Sequence, residues 1–171
     1  MQVSWKELEQ VLKTGQHVLL YGGPGFGKTH IASVGVDCYK VTMTEETAAA
    51  ELRGHYIPKG NEFIWHNGPA LMAWGQGAEL GCRLVVDEID RSSGDALTFF
   101  YALLDDPTVA KLTLPSGETV RPKAGFQCVA TTNAMDLESA LPAALLSRFA
   151  IRISNSRRNM PSRRFCGSSG K

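Results

Sequence analysis

Apolar residues recur along the chain in two rhythms. Trp5, Leu8, Val11 and Leu12 share one helical face, and Thr14-Gly15 ends that helix. His17-Val18-Leu19-Leu20-Tyr21 is an unbroken apolar run, the mark of a short buried strand. A Gly-rich turn follows, and Ile31-Ala32-Ser33-Val34 starts a helix after it. Tyr39 to Met43 reads as a second strand, and Thr44 to Leu52 as a helix with Thr44 at its N-cap. Tyr56-Ile57 and Glu62 to Trp65 flank Pro58, Gly60 and Asn61, which predicts a hairpin over 54–67. Gly68-Pro69 opens another helix, ending near Gly75–Gly77. Arg83-Leu84-Val85-Val86 is a buried strand running into Asp87, and Ala96 to Leu104 a helix with Leu97, Phe100, Leu103 and Leu104 inward. A second hairpin spans 111–121 around Pro115-Ser116-Gly117. Phe126 to Thr131 is a strand, Leu141 to Leu146 a short helix and Ile151 to Ile153 a last strand. Strands alternating with helices predict an α/β layered fold with a sheet parallel in its centre.

The 171 residues suffice for one domain with a real core, and 43% hydrophobic with 20% charged residues is ordinary globular composition. No stretch approaches the roughly 18 apolar residues of a spanning helix. The first residues lack an apolar signal core, so a cytoplasmic location is expected. Cys38, Cys82, Cys128 and Cys166 form no C-x-x-C pair, and the first three read as small buried hydrophobes. The four histidines have no zinc spacing. Charge divides the chain. Residues 1–154 carry 13 Lys/Arg against 17 Asp/Glu, whereas 155–171 hold four Arg and one Lys with no acid. The acidic body carries no nucleic-acid footprint, and the short basic segment lacks interleaved aromatics apart from Phe165. Nucleic acid is therefore not an expected partner, nor is a membrane. The expected organisation is a core over 1–154 and a basic, disordered tail over 155–171.

Residues 22–29 read Gly22-Gly23-Pro24-Gly25-Phe26-Gly27-Lys28-Thr29, a complete G-x-x-x-x-G-K-[ST] loop between a strand and a helix. Its glycines let backbone N–H groups turn inward around polyphosphate oxygens. Lys28 can reach the β- and γ-phosphates, and Thr29 offers a hydroxyl to Mg²⁺. His30 follows directly and is counted with the nucleotide-binding residues. Asp87-Glu88 sits at the carboxyl end of a strand, where open α/β sheets bind ligands. Asp87 is placed to hold Mg²⁺ opposite Thr29, and Glu88 to orient and deprotonate an attacking water. Asp90 and Arg91 read as surface residues or a contact to a neighbour.

The loop, Leu84-Val85-Val86-Asp87-Glu88-Ile89-Asp90, Ala130-Thr131-Thr132-Asn133 and Leu146-Ser147-Arg148-Phe149, in that order, resemble an AAA+ ATPase. Within that superfamily the chain is similar to the MoxR-type, dynein-related branch. Gly68-Pro69-Ala70-Leu71 and Leu112-Thr113-Leu114-Pro115 resemble the surroundings of that branch's two inserted hairpins. The resemblance implies a P-loop NTPase three-layer sandwich with a mainly parallel central sheet, binding ATP with Mg²⁺. It implies that Asn133 is the sensor of the lytic water or γ-phosphate, and that Arg148 is an arginine finger reaching the next subunit's nucleotide. It further implies a ring, hexameric in the family, that hydrolyses ATP to remodel a protein partner as a MoxR-like chaperone. The hairpins at 54–67 and 111–121 would meet that partner. Tyr56, Ile57, Phe63 and Trp65 are candidates for gripping it, with packing of the hairpin against its helix the favoured role for Phe63 and Trp65. The family continues into a helical lid, which the basic tail does not resemble. A missing lid, weak nucleotide affinity, slow turnover and a truncated or frameshifted gene product are the corresponding expectations. A lidless nucleotide-binding module, and a GTP-using restriction-type subunit, stay open beside the ATPase reading.

Overall fold

The computed structural model describes residues 5–154. Helix α1 (Trp5–Leu12) leads to β1 (Val18–Tyr21), α2 (Lys28–Ser33), β2 (Cys38–Thr42) and α3 (Ala49–Arg53). The hairpin of β3 (Gly54–Lys59) and β4 (Glu62–Asn67) precedes α4 (Pro69–Ala73) and β5 (Arg83–Asp87). A 3₁₀ turn, Ile89–Arg91, and α5 (Gly94–Leu103) lead to a small hairpin, β6 (Leu112–Thr113) and β7 (Thr119–Val120). Strand β8 (Gln127–Thr132), α6 (Leu137–Ala140), α7 (Ala143–Leu146) and β9 (Ile151–Ser154) complete the order.

The five long-range strands pair in parallel in the order β2-β5-β8-β1-β9. Parallel neighbours need crossovers, and helices on both faces cover the sheet, so the central strands β1, β5 and β8 are buried almost throughout while the edge strand β2 is largely exposed. All six residues of β8 are buried. Side chains alternate between two cores. Leu19, Leu84, Val86, Cys128 and Ala130 pack with Leu52, Trp74, Phe100 and Leu145 on one face. Val18, Leu20, Val85, Val129 and Ile153 pack with Leu8, Leu12 and Ile31 on the other. This is the expected three-layer sandwich with two separate hairpins.

The amino-terminal edge of the sheet is fixed by polar groups. Arg83 is buried, and its Nε donates to Gln127 Oε1 (2.8 Å), Nη1 to Ala32 O (3.0 Å) and Nη2 to Leu12 O (3.2 Å). Gln127 Nε2 donates to Leu12 O and Gln16 O. Two side chains thus satisfy carbonyls at the ends of α1 and α2, which otherwise lack helical partners. Beside them, His17 Nδ1 accepts the Cys128 N–H at 3.0 Å, and the imidazole meets Phe126 edge-on at 5.4 Å.

Several local expectations are corrected. The helix expected from Thr44 begins at Ala49. Thr44 does not cap it: its N–H donates to Thr47 Oγ1 (3.0 Å), and the two hydroxyls meet at 2.9 Å, a side-chain turn that competes with helix. Ala48 N–H instead donates to Glu51 Oε1. Helix α6, absent from the sequence reading, is capped by Asp136 accepting the Glu138 N–H. On α5, Phe99 is buried and Leu97 only partly so. Phe63 does not pack against the core but stands 72% exposed, whereas Trp65 is half-buried against it. Cys128 is fully buried, with its thiol pushed up by that burial, but Cys38 and Cys82 are only half-buried. The expectations for a basic tail and a missing lid fall on residues 155–171, outside the described ones. Among the described residues no helix is long and apolar enough to cross a membrane.

Burial lowers the His17 pKa from 6.5 to about 4. The folded chain keeps this imidazole neutral where the unfolded chain protonates it. Its contribution is therefore complete above about pH 6.5 and is withdrawn as pH falls toward 4, a loss of about 3 kcal/mol. In urea denaturation, the stability difference between wild type and His17→Gln should shrink by that amount between pH 7 and pH 4. A difference independent of pH refutes the assignment.

Candidate functional site

Strand order decides what meets at the carboxyl edge of the sheet. Strand β8 lies between β1 and β5, with Tyr21 level with Thr132 and Val86 level with Ala130. The segments leaving these three parallel strands therefore converge. They are the loop 22–27, Asp87-Glu88 and Asn133. Gly22 N–H donates to Ala134 O (3.2 Å), which ties the first to the third.

The loop takes its shape from left-handed glycines. Gly25 (φ 81°) and Gly27 (φ 70°) occupy backbone that a side chain would strain, and Gly27 directly precedes α2. The first amides of α2 have no intrahelical acceptor. Lys28 lies beneath, 6% exposed. Its Nζ donates to Gly22 O (2.8 Å), Gly23 O (2.7 Å) and Asn133 Oδ1 (3.0 Å). Burial lowers the ammonium pKa, while the Asp87 and Asp90 carboxylates act to raise it.

Asp87 is held from two sides. Its Oδ1 accepts from the Thr29 hydroxyl at 2.9 Å and from the Thr131 hydroxyl. Glu88 has φ 55°, the only non-glycine residue with positive φ among those described. Such backbone costs on the order of 1–2 kcal/mol. Glu88 Oε1 accepts from Asn133 Nδ2 at 3.4 Å, and Oε2 forms an ion pair with Arg91 Nε at 2.7 Å. The Glu88 N–H donates to Thr131 Oγ1 at 3.4 Å. Thr131 thus serves both acids, a contact the sequence reading missed. Its signal was a hydroxyl in a strand otherwise read as buried.

A cavity of about 200 Å³ is lined by Pro24 to Thr29, Asp87, Glu88 and Asn133. An ammonium ringed by oxygens on one side, and a hydroxyl–carboxylate pair on the other, fit a polyphosphate with a hard cation such as Mg²⁺. Gly22 and Gly23 contribute carbonyls to Lys28 without lining this cavity. His30 is exposed and does not line it. Asp90 is half-buried, and Arg91 is a surface residue bound to Glu88.

Arg148 is not brought to these groups. It lines a different cavity of about 560 Å³, with His17, Asp106 and Phe126. Its Nε donates to Tyr101 O (2.7 Å), Nη1 to Ala144 O (2.5 Å), and the guanidinium lies 5.2 Å from the centre of the Tyr101 ring.

Known proteins resemble this chain in sequence and fold. Residues 17–149 match the AAA domain, dynein-related subfamily. Protein NorQ of Paracoccus denitrificans (strain Pd 1222) is 35% identical over 121 residues, 68% of this chain and 43% of NorQ. Midasin of Giardia intestinalis is 28% identical over 103 residues, 57% of this chain and 2% of midasin. A crystal structure of a candidate ATPase from Cytophaga hutchinsonii ATCC 33406 shares the fold, with a TM-score of 0.61 at 22% identity, over 89% of this chain and 44% of that one. The chain thus spans less than half the length of each of these proteins. The family match runs from the first strand through Arg148 and includes the loop, both acids and Asn133. The chain belongs to the AAA+ ATPases, in their dynein-related, MoxR-type branch.

Proposed function

We propose that this chain is the nucleotide-hydrolysing core of a ring-forming, MoxR-like ATPase that binds ATP with Mg²⁺ and remodels a protein partner. The core occupies residues up to 154. The observation that carries the reading is the convergence of Lys28, Thr29, Asp87, Glu88 and Asn133 on one cavity.

The roles follow from chemistry. Lys28 sets a buried positive charge where the phosphates enter, and loop amides supply the remaining donors. Thr29 Oγ1 and Asp87 hold the Mg²⁺, which when bound neutralises phosphate oxygens. Glu88 orients a water and takes its proton as that water attacks the terminal phosphorus, giving ADP and phosphate. Asn133, a neutral amide between Lys28 and Glu88, positions that water without adding charge. Arg148 serves a neighbouring copy: its guanidinium lies outside this cavity and beside another open one. A permanently charged planar fork suits the charge that develops on phosphate. The exposed Tyr56, Phe63 and Ile64 of the first hairpin offer apolar surface to a protein partner.

Two experiments test this. Lys28→Ala should weaken fluorescent ATP-analogue binding at least about a hundredfold, and Glu88→Gln should keep binding while steady-state turnover falls by about two orders of magnitude or more. Nucleotide binding without turnover in wild type favours the binding-module alternative. Neither ATP nor GTP binding with Mg²⁺ present removes the reading altogether.

Arg148→Ala and Lys28→Ala should each be nearly inactive alone. Mixed, they should regain turnover, because one supplies the arginine and the other the loop. A mixture no more active than its components excludes action across subunits.

A further inference from the structure

We propose that Arg91 is a positioning residue for hydrolysis, which fixes the Glu88 carboxylate at the edge of the phosphate cavity. The inference rests on the hydrolase reading above. Glu88 is a long side chain, 30% exposed, with three rotatable bonds between its unusual backbone and its reacting oxygens. Something must hold those oxygens, because a base displaced by an ångström loses much of its effect. Asn133 offers only a long hydrogen bond to Oε1, at 3.4 Å. Arg91 Nε meets Oε2 at 2.7 Å, a charge-assisted contact and the stronger restraint.

The local backbone makes this pairing. The 3₁₀ turn Ile89–Arg91 closes with Arg91 N–H donating to Glu88 O at 2.9 Å. The turn brings Arg91, three residues on, back within reach of the Glu88 carboxylate. One guanidinium N–H leaves lone pairs on both carboxylate oxygens, so the base is aimed without being consumed. Arg91 does not line the phosphate cavity, and its action must pass through Glu88. With Arg91 57% exposed, the pair adds little to stability, so removing it tests position rather than folding.

The test is steady-state ATPase with Mg²⁺-ATP, alongside fluorescent ATP-analogue binding and thermal melting. Arg91→Ala should lower kcat about tenfold, with KM, analogue affinity and Tm nearly unchanged. Arg91→Lys, which keeps a cation within reach, should recover part of the loss. In the Glu88→Gln background, Arg91→Ala should change the residual rate less than twofold, because the group it positions is gone. An active wild type with Arg91→Ala equally fast or faster, or with its loss in KM or binding, overturns the role of Arg91 and leaves the hydrolase reading standing. Equal losses in both backgrounds overturn it as well. A wild type that binds nucleotide without turnover overturns the hydrolase reading, and this role with it.

Discussion

The sharing of one carboxylate oxygen by two hydroxyls organises the carboxyl edge of the sheet. Asp87 Oδ1 accepts from Thr29 on the first turn of α2 and from Thr131 on β8. Three segments far apart in sequence are thereby brought to one point. Once Asp87 is fixed, Thr29 is fixed, and with it the register of the preceding loop. Glu88, next in the chain, takes its backbone direction from the same anchor, since its own N–H faces Thr131. The groups proposed for the chemistry sit at or just beyond strand ends and on the first turn of α2, close to rigid elements where geometry is most reliably held.

That edge is open and polar, so the opposite one must keep the layers together. Arg83 and Gln127 do so by serving carbonyl oxygens of α1, α2 and the segment before β1. A buried guanidinium is costly unless its donors are used, and here they join three elements. The half-buried His17 sits on the same side, bonded to β8 through Cys128 N–H. The site is thus one end of a sheet whose other end is closed by hydrogen bonds.

Much of this was legible in the sequence because the strong signals are local. Glycine spacing, the strand before it and the lysine after it state the phosphate loop outright, and apolar runs ending in Asp87 and near Asn133 mark the strands that meet it. What escaped depends on partners remote in sequence or on competing local bonds. Thr131 is one hydroxyl in a buried strand until β8 is placed beside β5. Arg91 is a surface charge as its sequence setting suggests, but its ion pair with Glu88 depends on the turn that follows that acid. Thr44 had the right chemistry for a cap, but Thr47 three residues on offered its backbone another bond. Phe63, an aromatic in a hairpin, gave no sign of which face would meet solvent.

The left-handed backbone of Glu88 carries a consequence for engineering. Glycine or asparagine would relax that conformation, and each lacks the carboxylate. With Glu88 as the proposed base, a selection for heat resistance alone would reward both at this codon and so enrich for inert protein. Directed evolution of this scaffold therefore has to score turnover in every round, since at position 88 robustness and chemistry pull against each other.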